Sequence, residues 1–172
     1  MRDTVFFSYS HADLDALKDF EKMLAPALQG RKIRKWSDRD IVPGSRWRED
    51  IGHALDSTAV AVLLVSPDFL SSDFIQKHEL PTLLEGAANQ ELAILWIYLR
   101  PCMYKLTPIA DYQAAHDISK PLSLMTPRRR EQVILEVCER IQDTWEKNGS
   151  PGPSLFTTAP AEAVLPPAES SR

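Results

Sequence analysis

"AVAVLLVS", residues 59–66, is an apolar run closed by a serine, with no polar residue alternating through it. A strand with one wet face alternates apolar and polar positions. A short run without alternation reads instead as a strand buried on both faces, as in a parallel sheet covered by helices. Two more runs have the same character, "TVFFSY" (4–9) and "LAILWIYL" (92–99). "RKIRKW" (31–36) is more polar and suits an edge or near-edge strand, and "KPLSLM" (120–125) is a short fifth candidate.

Helical patterns fill the gaps between these runs. Leu14, Leu17, Phe20, Leu24 and Leu28 keep helical spacing, and Gly30 follows as a stop signal. Arg46 to Leu55 is a compact helix reached through Pro43 and Gly44. Over 128–146, Val133, Val137, Ile141 and Trp145 recur every four residues, with Ile134 and Cys138 beside them and Pro127 at the start. Prolines break up 100–119, where only short turns are expected. The alternation of strands and helices predicts an α/β fold: a flavodoxin-like, doubly wound parallel sheet of five strands in the order 2-1-3-4-5, with helices on both faces.

With 172 residues, 44% of them hydrophobic and 26% charged, the chain suits one globular domain with a sizeable core. That domain is expected over 1–147. From 148 to 172 the composition turns to Pro, Ser and Ala without apolar periodicity, as in a flexible tail or a linker to another domain. A net charge of −4 argues against a general nucleic-acid binder. Cys102 and Cys138 sit in apolar surroundings and read as reduced thiols. The four histidines show no metal-ligand spacing, so no metal is expected. The first apolar run is too short for a signal peptide, and no stretch approaches a membrane span, so a cytoplasmic protein is expected.

In an open parallel sheet, ligands bind beyond the carboxyl ends of the strands, near the point where strand order reverses. The loops that meet there are "SYSHAD" (8–13), "SDRDIVPGSRW" (37–47) and "SPDFLSSDFIQKHE" (66–79). They contain no Gly-x-Ser-x-Gly elbow, no Gly-x-Gly-x-x-Gly after the first strand and no phosphate loop. What remains is a lone carboxylate, Glu79, in "SSDFIQKHELP" (71–81), with hydroxyls and aromatics around it. Pro81 cannot donate to the carbonyl of Lys77, so a bend or restart is expected near 77–81, either aiming Glu79 at the crevice or simply opening a second helix.

At these same residues the chain resembles the TIR (Toll/interleukin receptor) domain family, in particular its prokaryotic branch. "VFFSYSHAD" is similar to the family's first box, "WSDRDIVPGSRWREDI" to the second, and "ALDSTAVAVLLVSPDFLSSDF" to the third strand and the helix after it. The resemblance implies an NAD+ glycohydrolase with NAD+ as substrate and no cofactor. It implies Glu79 as the catalytic residue, which the family usually places four residues beyond an aromatic; here Phe74 and Glu79 are five apart. Tyr9, Trp47 and Phe74 are the stacking candidates, and Ser8 with the backbone of Tyr9, Ser10 and His11 is the candidate contact for phosphate or ribose. Trp47 has a plain alternative as a packing residue, and Tyr9 as a cap on the sheet edge.

The second-box loop, with Arg39, Asp40, Pro43 and Gly44, is implied to mediate self-association; an ion pair within the loop is the simpler reading of Arg39 and Asp40. The resemblance also implies a fused or associated sensor domain and a role in bacterial antiviral defence. Neither nucleic acid nor membrane is an expected partner. Two other functions stay open on the residues: a non-catalytic module that recruits another TIR domain, and a domain that binds a nucleotide without cleaving it.

Overall fold

The computed structural model describes residues 2–29, 32–36 and 47–148. Strands β1 (Thr4–Ser8), β2 (Lys32–Trp36), β3 (Thr58–Val65) and β4 (Ala93–Tyr98) form one parallel sheet in the order β2-β1-β3-β4. The polar strand β2 takes an edge, where one side of its backbone needs no ladder partner. β3 is buried at every position, which is why its sequence shows no alternation.

Helices cover both faces. Helices α1 (Leu14–Leu28) and α5 (Pro127–Asn148) pack over a core that includes Val5, Phe7, Val60, Val62 and Leu64. Helices α2 (Trp47–Asp56), α3 (Pro67–Ser71) and α4 (Leu80–Ala88) lie over the other face with Phe6, Ala61, Leu63 and Val65. Successive strand residues point to opposite faces, so each strand feeds both cores. Residues buried from α5 are Val133, Ile134, Val137, Cys138, Ile141 and Trp145, the stripe its periodicity predicts. The Trp145 indole N–H also donates to the carbonyl of Asp3 at 2.9 Å, tying the helix end to the start of β1.

Residues 120–125 do not form the expected fifth strand. Pro121 has no N–H to offer a ladder, and Leu122–Leu124 closes a 3-10 turn that buries Leu122 against α5. The edge of β4 is met instead by the segment 113–116. The Ala115 N–H donates to the Trp96 carbonyl at 2.8 Å, and the Trp96 N–H to Gln113 at 3.3 Å. One step further, the Tyr98 N–H donates to the His116 Nε2 at 3.0 Å, so an imidazole stands in for a strand carbonyl. The His116 Nδ1 lies 2.9 Å from the Asp117 carbonyl, which fixes the neutral tautomer: Nδ1–H donates and Nε2 accepts.

That arrangement carries a pH dependence. Burial pushes the His116 pKa down, opposed by its contacts with Asp117. The unfolded chain therefore binds the proton more readily, and protonation of Nε2 also removes the acceptor that Tyr98 uses. Stability from this group is complete above the ordinary histidine value and is lost as pH falls through the lowered folded value. Melting curves measured across mildly acidic pH should show this loss, and a His116→Gln variant, which keeps an acceptor but cannot titrate, should not. An identical acid step in both proteins would refute the assignment.

Both cysteines are free. Cys138 is buried in the α1–α5 core, and burial, with Glu139 nearby, pushes its thiol up to about 12, so it is an inert apolar residue. Between β4 and α5 the chain makes 3-10 turns at Tyr104–Leu106 and Pro108–Asp111, as the prolines predict.

Candidate functional site

Ser8 ends β1 and sits opposite Trp36 on one side and Leu63 on the other, inside the sheet. It shares a face with Phe6, so its side chain is on the α3–α4 side. There the Ser8 hydroxyl donates to Glu79 Oε1 at 2.6 Å, and both side chains are 0% exposed. Two residues 71 positions apart thus meet at the carboxyl end of the sheet.

Glu79 reaches this position through a widened turn. Ile75–Glu79 is a π-turn, in which the Leu80 N–H donates to the carbonyl of Ile75, five residues back. The turn runs directly into α4, so Pro81 brings no break. It lies in the first turn of α4, where a missing N–H is tolerated. The expected restart near 77–81 is a change of helical width.

The burial pattern shows why the width changes. Ile75, Leu80 and Leu83 all face the core. In a regular α-helix, five residues advance about 500°, or about 140° past the starting face. Widening the turn between Ile75 and Leu80 by one residue brings both toward the same buried face. The same extra residue separates Phe74 from Glu79. The π-turn brings the five-residue interval back toward one face, and with it the carboxylate onto Ser8. Upstream, the Ser72 hydroxyl accepts from the Ile75 N–H at 3.3 Å and the Gln76 amide donates to the Phe69 carbonyl at 3.2 Å. Downstream, the Thr82 hydroxyl donates to the His78 carbonyl at 3.2 Å.

A second polar cluster lies at the same end of the sheet. Asp13, after β1, is buried and accepts from the Ser66 hydroxyl at 2.5 Å. Arg100, after β4, donates to Asp13 Oδ1 through Nε at 3.1 Å and Nη2 at 2.8 Å, and to Asp68 Oδ2 at 2.5 Å. Burial works to lower the Arg100 pKa, but the hydrogen bonds to Asp68 and Asp13 outweigh it and hold the group above its ordinary value. The Ser66 hydroxyl also accepts from the Phe69 N–H at 3.0 Å, capping α3. One guanidinium thereby joins the segments that follow β1, β3 and β4.

The remaining site candidates fall in different places. Phe74 is half-buried, its ring 5.3 Å from that of His78, on the helix that carries Glu79. Tyr9 is only 5% exposed and packs in the opposite core with α1 and α5. Ser10 accepts from the Ala12 N–H at 3.3 Å and caps the turn His11–Asp13. Trp47 begins α2, with its side chain outside the described set. Arg39, Asp40, Pro43 and Gly44 lie outside the described residues. Asp13, Ser66, Asp68 and Arg100 were not singled out by sequence; the two aspartates stand in loops that topology had marked, but nothing local pairs them with an arginine.

Among the described residues, no group of three or more His, Cys, Asp or Glu side chains is arranged to hold a metal. No helix there is long and apolar enough to cross a membrane.

A doubly wound domain with its buried polar pairs gathered beyond β1, β3 and β4 defines a class of small α/β modules that work from that rim. Residues 5–122 match the family profile described as "TIR domain". The chain belongs to the TIR domain family. It is also similar to the uncharacterized protein y4lF of Sinorhizobium fredii, 27% identical over 168 residues, covering 95% of this chain and 51% of that protein. The chain therefore spans about half the length of that relative.

Proposed function

We propose that this TIR domain is an NAD+ glycohydrolase that cleaves the bond between nicotinamide and ribose, with Glu79 as its catalytic carboxylate. The observation that carries the reading is the placement of Glu79: a carboxyl group inside the carboxyl end of a parallel sheet, held by Ser8 and shielded from water. Shielding strengthens every electrostatic interaction the group makes.

The chemistry needs little more. Nicotinamide in NAD+ carries a positive charge, so it leaves as a neutral molecule with the electron pair of the broken bond and needs no general acid, unlike an alcohol in ordinary glycoside hydrolysis. The ribose is left oxocarbenium-like. An ionised Glu79 opposes that developing charge and accepts hydrogen bonds from the ribose hydroxyls. Water then adds to give ADP-ribose, or an adenine nitrogen adds to give a cyclic variant. Phe74, and Trp47 at the start of α2, are the proposed stacking surfaces for the flat rings.

Full burial of Glu79 means that ribose reaches it only when its cover moves. That fits a domain switched on by TIR–TIR assembly, through a second-box loop bearing Arg39, Asp40, Pro43 and Gly44, under the control of a sensor domain in a longer protein. An effector acting on cytoplasmic NAD+ in bacterial defence against viruses is the setting we assign to it.

The same burial also favours a second reading, in which the Ser8–Glu79 pair is structural and the domain only recruits other TIR domains. Incubating the wild-type chain with NAD+, first dilute and then fused to a multimerising partner, separates the two. Nicotinamide release that rises with clustering is expected. Intact NAD+ after clustering would support the scaffold.

A further inference from the structure

We propose that Ser8 is the positioning residue of the Glu79 carboxylate, acting through it and not on the substrate. The inference rests on the catalytic reading of Glu79 above. Three observations carry it. Ser8 is 0% exposed, buried together with the Glu79 side chain it holds. Its hydroxyl donates to Glu79 Oε1 at 2.6 Å, the short distance expected for a hydroxyl donating to a carboxylate. And its backbone belongs to an interior strand, paired with β2 on one side and β3 on the other, so the sheet itself sets where the hydroxyl stands.

A glutamate side chain has three rotatable bonds, and a carboxylate that must meet a ribose in one orientation gains by being oriented beforehand. Two devices do this. The π-turn Ile75–Glu79 rotates the carboxylate inward across the extra residue, and Ser8 holds it where the turn delivers it.

The competing role for Ser8 is a latch that keeps Glu79 away from substrate until assembly releases it. Packing argues against this. Ile75, Leu80 and Leu83 are buried on the same helix, so swinging Glu79 outward would disturb a packed core face. Moving whatever covers the pair leaves the helix and its hydrogen bond in place. The two roles predict opposite signs.

The test is steady-state NAD+ cleavage by clustered protein, comparing wild type with Ser8→Ala and with the equal-shaped pair Ser8→Thr and Ser8→Val. Positioning predicts that Ser8→Ala lowers kcat by about 10- to 100-fold with KM held within about twofold, because the loss falls on the transition state. Should the alanine variant fold poorly, Ser8→Thr should still exceed Ser8→Val in kcat by about tenfold, since they differ in the hydroxyl and hardly in volume. A raised kcat in Ser8→Ala, a change confined to KM, or equal rates for the threonine and valine variants would each overturn the proposal while leaving the catalytic reading intact. No nicotinamide release by clustered wild type would overturn both.

Discussion

Replacing Glu79 with glutamine is expected to lower nicotinamide release from NAD+ by about a thousandfold or more while leaving the fold intact. Glutamine has the shape of glutamate, and its side-chain carbonyl can still accept from Ser8, which now donates to Glu79 Oε1 at 2.6 Å. The substitution removes the carboxylate and exchanges the buried Oε2 for an amide NH2 group of the same shape. A neutral amide cannot oppose an oxocarbenium-like ribose as a carboxylate does, and the water-excluded setting magnifies the difference. A carboxylate buried for function is costly to the fold, so the melting temperature should stay level or rise. Release by Glu79→Gln within tenfold of the wild-type rate, from clustered protein, would remove Glu79 from the mechanism.

The second large effect is structural. Arg100→Met should destabilise the domain by about 2–4 kcal/mol, because it leaves the buried Asp13 carboxylate without its counter-charge. Methionine preserves most of the side-chain stem, so packing changes little. The Asp13 side chain is 4% exposed and that of Asp68 47%, which makes Asp13 the partner that suffers. For a domain of this size, the loss corresponds to a fall in melting temperature of about 5–15 °C. Asp68→Ala should cost under about 1 kcal/mol, as expected of a half-exposed ion pair. Adding Asp13→Asn to Arg100→Met should recover part of the loss, since it removes the stranded charge. If Arg100→Met melts with the wild type, the cluster is a solvent-screened surface pair and does not hold the rim together.

Both effects depend on pairs that local sequence could not reveal, yet much of the frame was legible. The unbroken run 59–66 named a strand buried on both faces, and β3 is buried at every position. The four-residue rhythm of Val133, Val137, Ile141 and Trp145 gave the buried stripe of α5. Polar "RKIRKW" was assigned to an edge or near-edge strand, and β2 is at an edge. The fifth strand failed because an apolar hexapeptide holding Pro121 can bury Leu122 from a 3-10 turn as well as from a strand. Its place on the β4 edge is taken by a histidine ring, which no propensity scale would nominate.

The segment 71–81 shows the division most clearly. Sequence alone marked Glu79 as the unexplained carboxylate, marked Pro81 as a disturbance of the helix, and set Glu79 five positions beyond Phe74 where the resembled family usually has four. Only the tertiary structure decided what these amount to: a π-turn that buries both Ile75 and Leu80, takes up the extra residue and carries the carboxylate to Ser8. The physical reason is range. Strand and helix are written in patterns a few residues long, because burial repeats with the period of the backbone. The partner of a charge is chosen by where distant segments come to rest, 71 residues away for Ser8 and Glu79 and 87 for Asp13 and Arg100, and that is settled by packing.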